Sequence, residues 1–234
     1  MDKDDILRIQ QYKPKLEFTK QRYSTKHERL PDPLCRMALV ASSGSGKTTV
    51  LISLLCKQMN QLYHKVYIAA PTFMSDDSWS VLYDAVDPTQ VCTEFSEVDN
   101  FFNKIVESQD GNKEQIVLVI FDDWGAQTKQ LRCLNYLAKC RHYGISCWLS
   151  VQKMSFLSTT CRTNLTDLCL WNAPSQYERE QVSKEYSWRL APKEFVEMWN
   201  KVTAKKGDFL YIRLNESDPG KHYSKNFDTP ISVD

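Results

Sequence analysis

Glycine and proline are both scarce, with 7 and 9 in 234 residues. That scarcity excludes collagen-like and linker-rich classes, and it makes any Gly cluster conspicuous. Excess charge is missing too: 30 basic and 29 acidic residues give +1, which excludes a histone-like polycation but leaves room for a local basic patch. No stretch approaches the ~18 apolar residues of a membrane span. The N-terminal MDKDDILRIQ has no apolar signal-peptide core. These absences read as an intracellular soluble protein with no transmembrane segment. There is also no CxxC pair. Cys35, Cys56, Cys92, Cys133, Cys140, Cys147, Cys161 and Cys169 are spaced irregularly, several within apolar runs such as Ile145–Leu149. They read as small buried hydrophobes in a reducing compartment rather than as metal ligands or disulfides. What remains is an ordinary globular composition, 42% hydrophobic and 25% charged, at a length that builds a core without covalent staples.

Short apolar runs alternate with helical spacing along most of the chain. Strand-like runs fall at Cys35–Val40, Lys65–Ala70, Val91–Phe95, Gln115–Phe121, Ile145–Val151, Asp167–Trp171 and Phe209–Leu214. Helical patterns fall at Thr48–Gln61, Val98–Ser108, Leu131–Lys139, Gln176–Tyr186 and Pro192–Thr203. QIVLVIF at 115–121 is continuous and β-branched, the pattern of a strand buried on both faces. The alternation implies an α/β fold, a mainly parallel sheet with helices on both faces. Residues 1–33, mixed in charge and ending in Pro31-Asp32-Pro33, read as an N-terminal arm. Residues 34–216 read as one α/β domain and 217–234 as a polar C-terminal tail.

The Gly cluster lies in ASSGSGKT at 41–48. It matches the phosphate-binding pattern GxxxxGK[ST] except that Ala41 replaces the first Gly, a position that needs a small residue more than a left-handed backbone. It sits between a strand and a helix, where backbone N–H groups curl into an anion-binding concavity at a helix N-terminus. The expected triphosphate contacts are Ser42, Ser43, Gly44, Ser45, Gly46, Lys47, Thr48 and Thr49. Lys47 places a cation over the β- and γ-phosphates, and the Thr48 hydroxyl ligates Mg²⁺. Asp122-Asp123 closes the 115–121 run, at the carboxyl end of a buried strand where α/β sheets place their ligands. Adjacent buried acids need a cation or a water network. Asp122 is assigned to the metal, and Asp123 to orienting and deprotonating the attacking water.

The long interval from Lys47 to Asp122 argues for an extra strand between the P-loop strand and the Asp-Asp strand. Gln152, at the end of the Ile145–Val151 strand, then points between the two motifs and can hold water or sense the γ-phosphate. Arg162, in CRTN ahead of the next strand, is a candidate finger toward a neighbouring subunit's nucleotide, with Arg141 as the competing choice.

Together these residues resemble the viral genome-packaging ATPases of the poxvirus type, within the FtsK–HerA class of P-loop motors. The resemblance rests on ALVASSGSGKTT, VYIAAPT followed by Asp77 and Trp79, IVLVIFDDW, RHYGIS, Gln152 and CRTN. It implies ATP and Mg²⁺ as cofactors, and a homo-oligomeric ring, a pentamer or hexamer, with ATP between subunits. Double-stranded DNA and a capsid or packaging-vertex protein are the implied partners. The implied location is the host cytoplasm or viral factory, or the virion itself. A cellular-type DNA pump or helicase, an ATP-gated switch and a small-molecule kinase are the other classes weighed. Candidate DNA contacts are Lys129, Arg132, Lys153, Lys201, Lys205 and Lys206. Trp188, Trp199 and Tyr211 are candidates for base stacking, with packing the stronger reading.

Overall fold

A computed structural model describes residues 29–59, 62–111, 115–173 and 175–233. Nearly all of the expected N-terminal arm lies outside the described residues. Among the described residues nine strands form one sheet: β1 Arg36–Val40, β2 Lys65–Ala69, β3 Val91–Cys92, β4 Val117–Asp122, β5 Ile145–Val151, β6 Asp167–Leu170, β7 Leu210–Arg213, β8 Tyr223–Lys225 and β9 Thr229–Ile231, in the order β3-β2-β4-β5-β1-β6-β7-β8-β9. Strands β1 to β6 are parallel and β7 to β9 antiparallel. The chain is therefore α/β with a mainly parallel sheet, as the alternating pattern implied.

Period-2 alternation sends each central strand into two cores. Met37 and Leu39 of β1 pack with Leu118 and Ile120 of β4 on one face, while Ala38 and Val40 pack with Val117, Val119 and Phe121 on the other. All six residues of β4 and all seven of β5 are buried, as parallel strands covered on both faces require. The first face is closed by α1 (Lys47–Ser53) through Leu51 and Ile52. The second is closed by α2 (Val98–Gln109), α5 (Gln176–Tyr186) and α6 (Pro192–Val202).

A strand does separate the P-loop strand from the Asp-Asp strand. It is β5, which comes later in the chain, whereas the long interval supplies β2 and β3 on the outer side of β4. Gly144 makes the turn into β5. Its φ is +66°, and a Cβ there would stand 3.0 Å from the Gln115 carbonyl oxygen, so both conformation and space demand glycine.

Three local expectations change. The helix expected over Thr48–Gln61 gives way after Ser53 to a wider π turn, Leu54–Gln58, closed by Met59 N donating to Leu54 O at 2.8 Å. The wider turn buries Leu54, Leu55, Cys56 and Met59 together. The helix expected over Leu131–Lys139 becomes a 3₁₀ segment, Arg132–Tyr136, followed by α3 (Leu137–Cys140). The Asp99 carboxylate holds its start by accepting from Cys133 N at 2.8 Å. The expected polar tail at 217–234 instead contains α7 (Pro219–His222), β8 and β9, which extend the sheet. Asp218 caps α7 by accepting from Gly220 N at 2.9 Å, and Tyr223 is fully buried. Strands of three residues are too short to show alternation, so a polar composition concealed them. All eight cysteines are buried, and none forms a disulfide among the described residues.

Candidate active site

β1 ends at Val40, and the chain turns through Ser42–Gly46 before α1 begins at Lys47. Gly44 and Gly46 take φ of +72° and +90° with no atom within 4 Å of a notional Cβ. Glycine is needed here for backbone conformation, not for space. Gly46 is the N-cap of α1, which carries no acid in its first turn. Its dipole and free N–H groups therefore face the loop uncompensated. Ser43 and Gly44 are exposed, Ser42, Ser45, Gly46 and Thr48 are half-buried, and Thr49 is exposed.

Lys47 is buried, and its Nζ donates to Ala41 O at 2.7 Å and Ser42 O at 3.3 Å. Burial lowers its pKa, opposed by the nearby Asp123 and Asp122 carboxylates. The loop's own carbonyls thus hold the ammonium where phosphate oxygens can replace them. Thr48 Oγ1 donates to Asp122 Oδ2 at 3.1 Å, linking two motifs 74 residues apart. Asp122 is 1% exposed. Burial raises its pKa, partly countered by the Ser150 and Thr48 hydroxyls. Ser150 stands opposite Asp122 on β5, yet neither Ser150 Oγ nor Asp122 Oδ1 has a hydrogen bond of good geometry. An orphaned, buried carboxylate oxygen beside a hydroxyl suits a hard cation that prefers oxygen ligands, so these residues fit Mg²⁺.

That orphan leads to a stability prediction. A folded-state pKa raised above the unfolded one disfavours folding once pH exceeds the unfolded value, about 3.9. Asp122→Asn removes this penalty while keeping an acceptor for Thr48. The ligand-free variant is expected to melt above the parent at neutral pH by about 2–4 °C, the shift that ~1 kcal/mol produces in a chain of this size. The gain should shrink as pH falls toward 4, and stabilisation by Mg²⁺–ATP should be lost. Scanning calorimetry at both pH values checks this, and a lower melting point at neutral pH contradicts it.

Asp123 adopts a left-handed backbone, φ +51°, and its N–H donates to Ser150 O at 3.1 Å. Asp and Asn tolerate that conformation better than longer side chains, which accounts for Asp where many ATPases carry Glu. Gln152 Nε2 donates to Asp123 Oδ1 at 2.9 Å. Both side chains are half-buried. The strand between β1 and β4 thus delivers the Gln that follows it to the second acid. Trp124 anchors this turn, its indole N–H donating to Ala69 O at 3.0 Å.

Arg162 lies elsewhere. It sits on α4 (Thr159–Thr163), ahead of β6, whose first residue pairs with Met37 near the start of β1. Arg36 Nε donates to Asn164 O. This is the sheet edge opposite the chain's own P-loop. Arg162 is bound by Glu185, Nη2 to Oε1 at 2.9 Å, and by Leu157 O at 3.0 Å. Arg141 is exposed on the 3₁₀ turn before β5, at the same edge.

Lys129, Arg132, Lys153, Lys205 and Lys206 are exposed on connections at the P-loop edge, and Lys201 is exposed in the last turn of α6. Trp199 and Tyr211 are core residues, 2% and 1% exposed, so packing is their role. Trp188 is 37% exposed, but His222 stacks on its ring at 4.1 Å and the Arg189 guanidinium lies over it at 4.4 Å. Asp77 begins a 3₁₀ helix capped by Asp76, and Trp79 is buried against Phe73.

Sequence reasoning missed Glu178, Arg179 and Asn172. Glu178 Oε1 accepts from Met154 N at 3.1 Å and lines a water-sized cavity of about 10 Å³ with Ser42 and Gln152. Arg179 Nη2 donates to Asn172 Oδ1 at 2.9 Å beside the P-loop strand. No spacing in the sequence marks them, because the contacts join α5 to loops at the ends of β5 and β6.

The chain matches the family described as Poxvirus A32 protein over residues 22–215. It belongs to that family. It is 26% identical over 189 residues to the DNA packaging protein OPG160 of Monkeypox virus, covering 78% of this chain and 62% of that protein. The same protein of Vaccinia virus (strain Copenhagen) is also 26% identical, with 69% of it covered. The chain thus spans about two thirds of the relatives' length. Among solved structures, the genome packaging NTPase B204 from Sulfolobus turreted icosahedral virus 2, in complex with ATP-gammaS, superposes with a TM-score of 0.59 at 16% identity, covering 83% of this chain and 97% of that one. The two chains share one α/β fold.

Proposed function

We propose that this A32-family protein is an ATP-hydrolysing motor that drives double-stranded DNA into a preformed capsid. The observation that carries this reading is the Gln152–Asp123 hydrogen bond standing beside the Thr48–Asp122 one. Three chain-distant segments bring together a phosphate loop, a metal-binding acid and a second acid held by an amide. A switch that binds ATP without hydrolysing it needs no such third part.

Lys47 and the Gly44–Thr48 backbone bind the triphosphate and neutralise charge on it. Thr48 and Asp122 would hold Mg²⁺, which would offset negative charge on the triphosphate. Asp123 accepts the proton of a water aimed at the γ-phosphorus, and Gln152 holds that carboxylate in place. Arg162 faces away from its own P-loop, which suits service to a neighbouring subunit in a homo-oligomeric ring, a pentamer or hexamer. The exposed lysines at the P-loop edge are the proposed DNA contacts, each weakened by salt through counterion release. A capsid or packaging-vertex protein is the remaining partner, in a viral factory of the host cytoplasm.

Steady-state ATP turnover with and without double-stranded DNA tests this reading, together with uptake of labelled DNA into empty capsids. DNA is expected to raise turnover several-fold, with the stimulation falling steeply between 50 and 200 mM salt. Turnover indifferent to DNA would remove the motor assignment, and stimulation without capsid uptake would favour a cellular-type DNA pump.

A further inference from the structure

Helix α5 carries Glu178 and Glu185 on one stripe, about two turns or roughly 10 Å apart. Both hold the same connection, the one that leaves β5 at Gln152 and reaches α4 at Arg162. At the near end, Glu178 Oε1 accepts from Met154 N at 3.1 Å, two residues past Gln152. At the far end, Arg162 Nε donates to Glu185 Oε1 and Oε2 at 3.2 and 3.0 Å, and Nη2 donates to Oε1 at 2.9 Å. Arg162 Nη1 donates to Leu157 O at 3.0 Å, within the same connection. A segment that begins at the Asp123-bound amide and ends at Arg162 is therefore pinned to one helix at both ends. The ion pair is only partly shielded, with side chains 20% and 40% exposed. Partly exposed pairs contribute little net stability, so this one can be exchanged for another anion.

We propose that Glu185 is a positioning residue that keeps Arg162 on its own subunit, and that α5 ties its release to Gln152. When γ-phosphate and water re-aim Gln152, the connection shifts against Glu178. The shift is carried along α5, and Arg162 exchanges the Glu185 carboxylate for the phosphates of a second copy of this chain. The proposal rests on the reading of Arg162 as trans-acting, and it makes each nucleotide site a controller of its neighbour.

The test compares ATP turnover, with and without double-stranded DNA, for the full chain, Arg162→Ala, Glu185→Gln, Glu178→Met and the Arg162→Ala/Glu185→Gln double variant, with melting temperatures alongside. Glu185→Gln is expected to raise turnover without DNA several-fold and to shrink the stimulation by DNA. Glu178→Met should do the same, and the double variant should be as slow as Arg162→Ala. A merely structural ion pair cannot produce faster turnover when broken. Glu185→Asp, which keeps the charge one methylene back, should fall between parent and Gln and reads out the clamp if Glu185→Gln folds poorly. Glu185→Gln and Glu185→Asp turning over like the parent, while Arg162→Ala is slow, would overturn the clamp alone. Arg162→Ala turning over like the parent would overturn the trans-acting reading beneath it.

Discussion

Lys47→Ala is expected to lower ATP turnover by roughly 10²–10³-fold, the loss that follows removal of one preorganised charge-stabilising donor. Lys47 is held 2.7 Å from the Ala41 carbonyl oxygen at the mouth of the phosphate loop. Burial already weakens its hold on a proton, and the carboxylates of Asp123 and Asp122 offset that. A triphosphate gives the ammonium better partners than two carbonyl oxygens, and the gain grows as charge develops on the transferring group. Alanine removes that cation and leaves the phosphates facing backbone N–H groups alone. The fold should persist, because the walls of the site are strand ends from both cores. Lys47→Arg should not rescue, since a planar fork does not reproduce a compact ammonium. Turnover is read by phosphate release and nucleotide affinity by titration. Parent-like turnover in Lys47→Ala would mean that ATP is hydrolysed elsewhere.

Much of this site was legible in the sequence because its parts are local. ASSGSGKT sits on one turn, and Asp122-Asp123 ends one strand. Each motif needed only its flanking strand to be placed. The continuous apolar run before Asp122 reported burial on both faces, and the alternation of strands with helices implied the parallel sheet. Gln152 was reachable for the same reason, since the residue that follows a parallel strand lands at the ligand edge wherever the strand lies. What stayed hidden depended on distant pairing. The length of the Lys47–Asp122 interval suggested an inserted strand, but a length cannot say which strand is inserted. β2 went outside β4, and β5 took the central place. β8 and β9 were invisible because their stability comes from β7 and the buried Tyr223, not from any pattern of their own. Glu178 and Glu185 carry no mark in the sequence that separates them from solvated helix charges. Only the contacts to Met154 and Arg162 distinguish them.

Asp123→Asn is expected to bind ATP as the parent does and to hydrolyse it on the order of 10²–10⁴-fold more slowly, the range for loss of a positioned general base. The substitution isolates chemistry from structure. Asp123 has a φ of +51°, a left-handed backbone that Asn adopts as readily as Asp. The Asn carbonyl oxygen can still accept from Gln152 Nε2, now 2.9 Å from Asp123 Oδ1. The backbone bond from residue 123 to Ser150 O does not involve the side chain. Asp122, with its orphaned oxygen and its Thr48 partner, is untouched, so Mg²⁺ and triphosphate keep their proposed ligands. What disappears is the capacity to take a proton from water. Glu at this position should be a poor substitute, because the longer side chain is disfavoured in the left-handed turn and overshoots the space Gln152 closes. Single-turnover hydrolysis and equilibrium ATP binding, measured on the same sample, separate the two effects. Slow hydrolysis with intact binding assigns the base to Asp123. Parent-like hydrolysis would withdraw that role from Asp123 and turn attention to Glu178, a carboxylate that lines a small cavity with Gln152.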